Sequence, residues 1–227
     1  MFLRKNGNLF VTFLIDAKVD IIKYVIDNMT DFDYQTKNKF TIVHYVCFVC
    51  SPCIIKYFVE KLVNTGNKFM LEYQNIIGKR PLHLLLHNPL VNLDIVKYFY
   101  ENGVNFECES IKMKRPIHYL CSNIDIEIFK YFVEKGINIE TPTVDNIKPI
   151  HYAARNIDND IVKYLIDNIT DINCKTKKGW RPIHIIYNYC SMDVYEYIRL
   201  KGAIISKMPE IYDSDIDENM HDDLINN

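Results

Sequence analysis

Apolar residues recur along the chain in one repeated arrangement. Ile161, Val162, Leu165 and Ile166 stand at i, i+1, i+4 and i+5, which makes a single apolar stripe on a helix. The same stripe begins at Ile21-Ile-Lys-Tyr24, Ile54-Ile-Lys-Tyr57, Ile95-Val-Lys-Tyr98, Ile128-Phe-Lys-Tyr131 and Val194-Tyr-Glu-Tyr197. A second core precedes the later five stripes: Thr41-Ile-Val-His44, Arg80-Pro-Leu-His83, Arg115-Pro-Ile-His118, Lys148-Pro-Ile-His151 and Arg181-Pro-Ile-His184. Proline in its second place suits the first turn of a helix, where the missing N–H is no loss. Each unit therefore predicts two helices. Gly103, Gly136 and Gly202 close the second helix in three units, and Ile169 replaces glycine in a fourth, so that end must be built differently. The polar stretch before each core predicts an exposed turn.

The register is strict. The Lys/Glu slot of the second helix falls at 23, 56, 97, 130, 163 and 196, in steps of 33, 41, 33, 33 and 33. Insertions of six residues before His83 and two after it explain the long step, and the six-residue one, within Leu62 to Lys79, reads as a functional loop or, more in keeping with the mild cost of surface insertions, a tolerated bulge. Both motifs held in register resemble the ankyrin repeat over about residues 8 to 206. The resemblance implies an all-α solenoid of about six stacked helix-turn-helix units, at 1–34, 35–73, 74–108, 109–141, 142–174 and 175–206. The first copy lacks the core tetrapeptide and carries Asn8-Leu9-Phe10-Val11 instead, as a water-facing end requires. The family's threonine before proline survives only as Thr41, with Arg or Lys elsewhere, so the turns are expected to be less regular. The resemblance also gives the recurring histidines structural hydrogen bonds near the turn.

Composition changes this picture little. Ile (33), Asn (22), Lys (21) and Tyr (16) make up 92 of 227 residues against 4 Ala, a skew of AT-rich codons. With the motif style, it resembles ankyrin proteins of giant viruses of amoebae or AT-rich protists. Seven cysteines at irregular spacing argue for a reducing, cytoplasmic compartment. Neither a convincing signal peptide nor an apolar run long enough for a membrane span is seen. His44, Cys47, Cys50 and Cys53 have an H-x2-C-x2-C-x2-C spacing, but steps of three fan the ligands by about 60° each around a helix. They read as buried small hydrophobes. The tyrosine slot (24, 57, 98, 131, 164, 197) reads as packing between repeats. No phosphate loop, dinucleotide fingerprint or nucleophile elbow is present, so the chain is expected to be non-catalytic, without cofactor or metal.

Charge is the informative feature. The seven residues ending at each core's first position (35–41, 74–80, 109–115, 142–148, 175–181) hold 12 cations against Glu109 and Asp145, or +10, while the whole chain is −2. A solenoid lines such turns into one basic ridge. Lys37, Lys79, Lys112, Lys114, Lys177 and Lys178 are its candidate contacts, with Phe40, Ile147 and Trp180 at one turn slot that usually faces a partner. Trp180 reads either as a hot-spot anchor or as packing on the neighbouring turn. Arg155, Asn188 and Tyr189 occupy contact positions of the family's first helices. The expected partner is a protein with an acidic surface, bound by a monomer. Nucleic acid on the same ridge, or a structural particle role, are the alternatives. Residues 207–227 reverse the sign, with seven acids against Lys207, and read as a disordered solubilising tail or as a competitor for the ridge.

Overall fold

A computed structural model describes residues 14, 17–29, 32, 34–123, 125–155 and 159–209. Eleven α-helices are found there: α1 (Val19–Asp27), α2 (Ile42–Val49), α3 (Pro52–Asn64), α4 (Pro81–Leu85), α5 (Leu93–Glu101), α6 (Pro116–Asn123), α7 (Ile126–Glu134), α8 (Pro149–Arg155), α9 (Asn159–Asn168), α10 (Pro182–Tyr189) and α11 (Met192–Leu200). Among the described residues the only strand-like pairing is an isolated bridge, Gln35 with Thr41. The atypical first core, Asn8 to Val11, lies outside the described residues.

The helices form two rows. Each even-numbered helix packs on the next even-numbered one, and each odd-numbered one on the next odd-numbered one. Repeats thus touch their neighbours and bury a continuous core, as a solenoid must. Ile161, Val162, Leu165 and Ile166 are all buried, so the stripe read from the sequence is the packing face. The inner helices are buried almost throughout; in α8 every residue from Pro149 to Ala154 is.

The outer helices end as their last residues dictate. Gly103, Gly136 and Gly202 adopt φ of +70°, +78° and +96°. There the N–H groups of Val104, Ile137 and Ala203 reach back to Phe99, Phe132 and Ile198. At Ile169 the end is built without a left-handed residue: Ile169 N–H bonds Leu165, and the Asn168 side chain donates to Tyr164 O.

The six-residue insertion is more than a bulge. It lengthens α3 to 13 residues and adds a 3-10 turn, Lys68–Glu72, that delivers Met70 and Leu71 into the core. The two-residue insertion carries Asn88, whose buried amide donates to Cys47 O (3.0 Å) and Cys50 O (2.8 Å) and ties the loop to the end of α2.

Candidate functional site: the turn ridge

Five turns precede helices α2, α4, α6, α8 and α10, and they are uniform. In each, a small polar residue (Thr36, Asn75, Ser110, Thr143, Thr176) donates its N–H to the carbonyl four residues on, at 2.9–3.0 Å. Its side-chain oxygen accepts the N–H of that same later residue. The residue between is left-handed every time: Lys39, Gly78, Met113, Asn146 and Gly179. The expectation of less regular turns is therefore wrong. The reason is the core histidine. His Nδ1 accepts the backbone N–H of Thr41, Arg80, Arg115, Lys148 and Arg181, a bond that needs no threonine side chain. With Nδ1 accepting, Nε2 carries the proton and reaches the next repeat, at Lys79 O (3.1 Å) from His44 and Thr141 O (3.0 Å) from His118. Burial, the main cause, holds His44, His118 and His151 down at about 4 and His83 at about 3. These imidazoles are neutral struts.

Successive turns are also tied to each other. Ile76 N–H bonds Asn38 O, Ile111 bonds Ile77, Val144 bonds Lys112 and Lys177 bonds Asp145, at 2.9–3.1 Å. The five turns therefore form one hydrogen-bonded row.

A second device joins the repeats beneath that row. Arg80 pairs with Glu72 (2.5 Å), Arg115 with Glu107 (2.7 Å) and Lys148 with Glu140 (3.3 Å), each acid eight residues before its cation. Arg115 also pairs with Glu109. The other carboxylate oxygen accepts an N–H of the following repeat: Glu72 from Asn105, Glu107 from Asn138, Glu140 from Thr170. Burial works to raise the Glu140 carboxyl, but Thr170 and Lys148 hold it below its usual value.

These contacts redraw the ridge. Phe40, Lys79, Lys114, Ile147 and Trp180 share one turn slot, and all five are buried. Trp180 is only 4% exposed, edge-on to His184, and is not an anchor presented to a partner. Lys79 and Lys114 are 1% and 2% exposed, with both ammoniums within 6 Å of the Tyr119 ring and that of Lys114 also over Tyr152. Arg80, Arg115 and Lys148 are held by their glutamates. Of the twelve cations, Lys37, Lys39, Lys112, Lys175, Lys177 and Lys178 remain exposed. The sequence reading missed the apolar tips: Ile111 is 65% exposed, Ile76 48% and Met113 40%. Their place at the crest of the turn was the available signal.

The remaining candidates lie elsewhere. Arg155 stacks its guanidinium 4.0 Å from the centre of the half-buried Tyr189 ring, and Asn188 beside it is exposed. The tyrosine slot lies on the outer face, where Tyr24 is exposed. There Lys23, Lys56 and Lys97 sit 5.0–5.8 Å over the rings of Tyr57, Tyr98 and Tyr131 of the following repeat. Cys47 and Cys50 are buried and Cys53 is exposed on the next helix. Among the described residues no cluster of three His, Cys, Asp or Glu could hold a metal ion. No helix there is long and apolar enough to cross a membrane.

A family model for ankyrin repeats, three copies long, matches residues 88–176 and 117–207, more than half of the chain. The chain belongs to the ankyrin repeat family. Ankyrin repeats are protein-interaction modules, and the family is in general non-catalytic. No curated protein matches this ankyrin chain closely.

Proposed function

We propose that this ankyrin protein binds another protein on its turn ridge, through the apolar crest of Ile76, Ile111 and Met113. The exposed lysines rim that crest: Lys37 and Lys39 towards one end, Lys112 in the middle, Lys175, Lys177 and Lys178 at the other. The partner is a protein surface with an apolar centre and acidic surroundings. The reading is carried by the row of bonded turns, which holds these side chains in place before binding, so little entropy is lost on docking. The lysines speed encounter and select for acid, while the apolar tips supply the desolvated contact. The style resembles giant-virus or protist chains, and for a viral chain that partner is a host protein.

The test is affinity capture with mass spectrometry from cell lysate. The wild type runs beside a full-length variant carrying Ile111→Ser, Lys37→Glu, Lys112→Glu and Lys177→Glu, all at exposed positions. Circular dichroism checks that both fold alike. The expected result is a protein retained by the wild type alone and released as salt rises. Equal retention by both would remove the site from the ridge, and retention of nucleic acid alone would replace this reading with the nucleic-acid one.

A further inference from the structure

The cation before each core proline has a glutamate eight residues earlier in three repeats, but the last repeat breaks the rule. Eight residues before Arg181 stands Asn173. Its side chain keeps the inter-repeat half of the joint: Oδ1 accepts Ile204 N–H (2.7 Å), and Nδ2 donates to Gly202 O. An amide brings no charge for the guanidinium. Arg181 Nε and Nη1 are buried without a hydrogen-bond partner. Arg115, in the same slot, bonds two glutamates through Nε, Nη1 and Nη2, and Arg80 bonds Glu72 through Nη1 and leaves Nε buried without a partner. His184, the next core histidine, is held below its ordinary value by burial and then by the charges of Arg181 and Lys175. Two buried guanidinium nitrogens without an acceptor are costly, and a carboxylate relieves that cost with paired, charge-assisted bonds.

We propose that Arg181 is a carboxylate-binding site, and that the acidic segment 210–227 of this same chain occupies it. The last described residue is Pro209, and its ring lies 3.8 Å from where a Cβ on Gly179 would stand, two residues from Arg181. Glu210 follows at once, and Asp213, Asp215, Asp217, Glu218, Asp222 and Asp223 come after it, with no Lys or Arg among residues 210–227. High local concentration and opposite charge favour this occupant over one from solution. The segment then does for the last repeat what Glu72, Glu107 and Glu140 do inside the stack. This inference stands apart from the partner reading, since its tests use no partner.

The experiment is a double-mutant cycle in the full chain. Arg181→Gln is crossed with a variant in which Glu210, Asp213, Asp215, Asp217 and Glu218 become their amides. Neutralising the segment should lower the thermal midpoint by about 2–4 °C when Arg181 is present and leave it unmoved in Arg181→Gln. Equal effects in both backgrounds would overturn the proposal. Should Arg181→Gln itself unfold the last repeat, Asn173→Glu serves as a second variant. It restores the internal acid and should abolish sensitivity to neutralisation while raising the midpoint; retained sensitivity counts against the site. Trp180, the sole tryptophan and next to Arg181, reports the source of the carboxylate. A synthetic 210–227 peptide should change its fluorescence saturably in the neutralised chain and not in the wild type. A wild type that takes up the peptide or polyglutamate equally well would refute the intramolecular occupant.

Discussion

His44, His83, His118 and His151 each give up their charge to serve as struts, and this sets how the protein responds to acid. In the unfolded chain a histidine titrates near 6.5; buried here, they titrate at about 3 to 4. Between those values the unfolded chain holds more protons, so stability is complete above about pH 6.5 and drains away as pH falls toward 4. Each unit of such a shift is about 1.4 kcal/mol, and four residues act together. Thermal unfolding followed by circular dichroism should give a level midpoint from pH 7 to 8 and a steep fall between pH 6.5 and 4.5. A level profile through that range would mean these rings are not neutral in the fold. Recurrence made the histidines legible in the sequence. Trp180 stood open in the sequence between anchor and packing, and its burial edge-on to His184 decides for packing. Lys39, Met113 and Asn146 hold the same left-handed turn position as Gly78 and Gly179, at a cost in strain, so only two of the five turns advertise it in the sequence. The three glutamates beneath the ridge were missed for a simpler reason. They fall just outside the windows in which charge was summed.

At the scale of the element, the turn row distinguishes glycines that look alike in sequence. Gly78 and Gly136 share a φ near +75°, at +73° and +78°. A Cβ at Gly136 meets nothing within 4 Å, whereas one at Gly78 would come 2.8 Å from Ile111 N, the donor of the bond to Ile77. Gly136→Ala should cost about 1–2 kcal/mol of left-handed strain. Gly78→Ala should cost clearly more, because it also parts two turns. Urea unfolding of the two variants measures the difference, and equal losses would deny the ladder any role in stability. Helix pairs and their apolar stripes were readable because each motif recurs in register. The turn ladder was not, since its donors and acceptors are backbone groups that no side chain encodes.

Across the whole molecule, each described repeat packs on its neighbours; among the described helices α1 and α11 have one neighbour in their row, and α6 and α8 have a neighbour on each side. Native-state hydrogen exchange should therefore release the amides of α1 and α11 before those of α6 and α8. Uniform exchange would indicate a single cooperative block. The solenoid was legible because one period runs through the chain. The binding surface was legible only in outline. Summed charge located the ridge, but six of its twelve cations are buried, paired or, like Arg181, partly buried, and its apolar crest carries no charge to be summed.

The joint beneath the ridge has a consequence for how such a chain can grow. Counted from the end of one outer helix (Gly103, Gly136, Ile169) to the end of the next, each carboxylate spends one oxygen on a cation of its own unit and the other on a main-chain N–H of the following unit. The side-chain half of the connector is carried entirely by one repeat, and what it asks of its successor is a group that nearly every amino acid supplies. A repeat copied in tandem brings its own fastening and fits whatever follows, whatever that neighbour's sequence. Length in this architecture is therefore free to change by whole units, while the side chains on the crest diverge without loosening the stack.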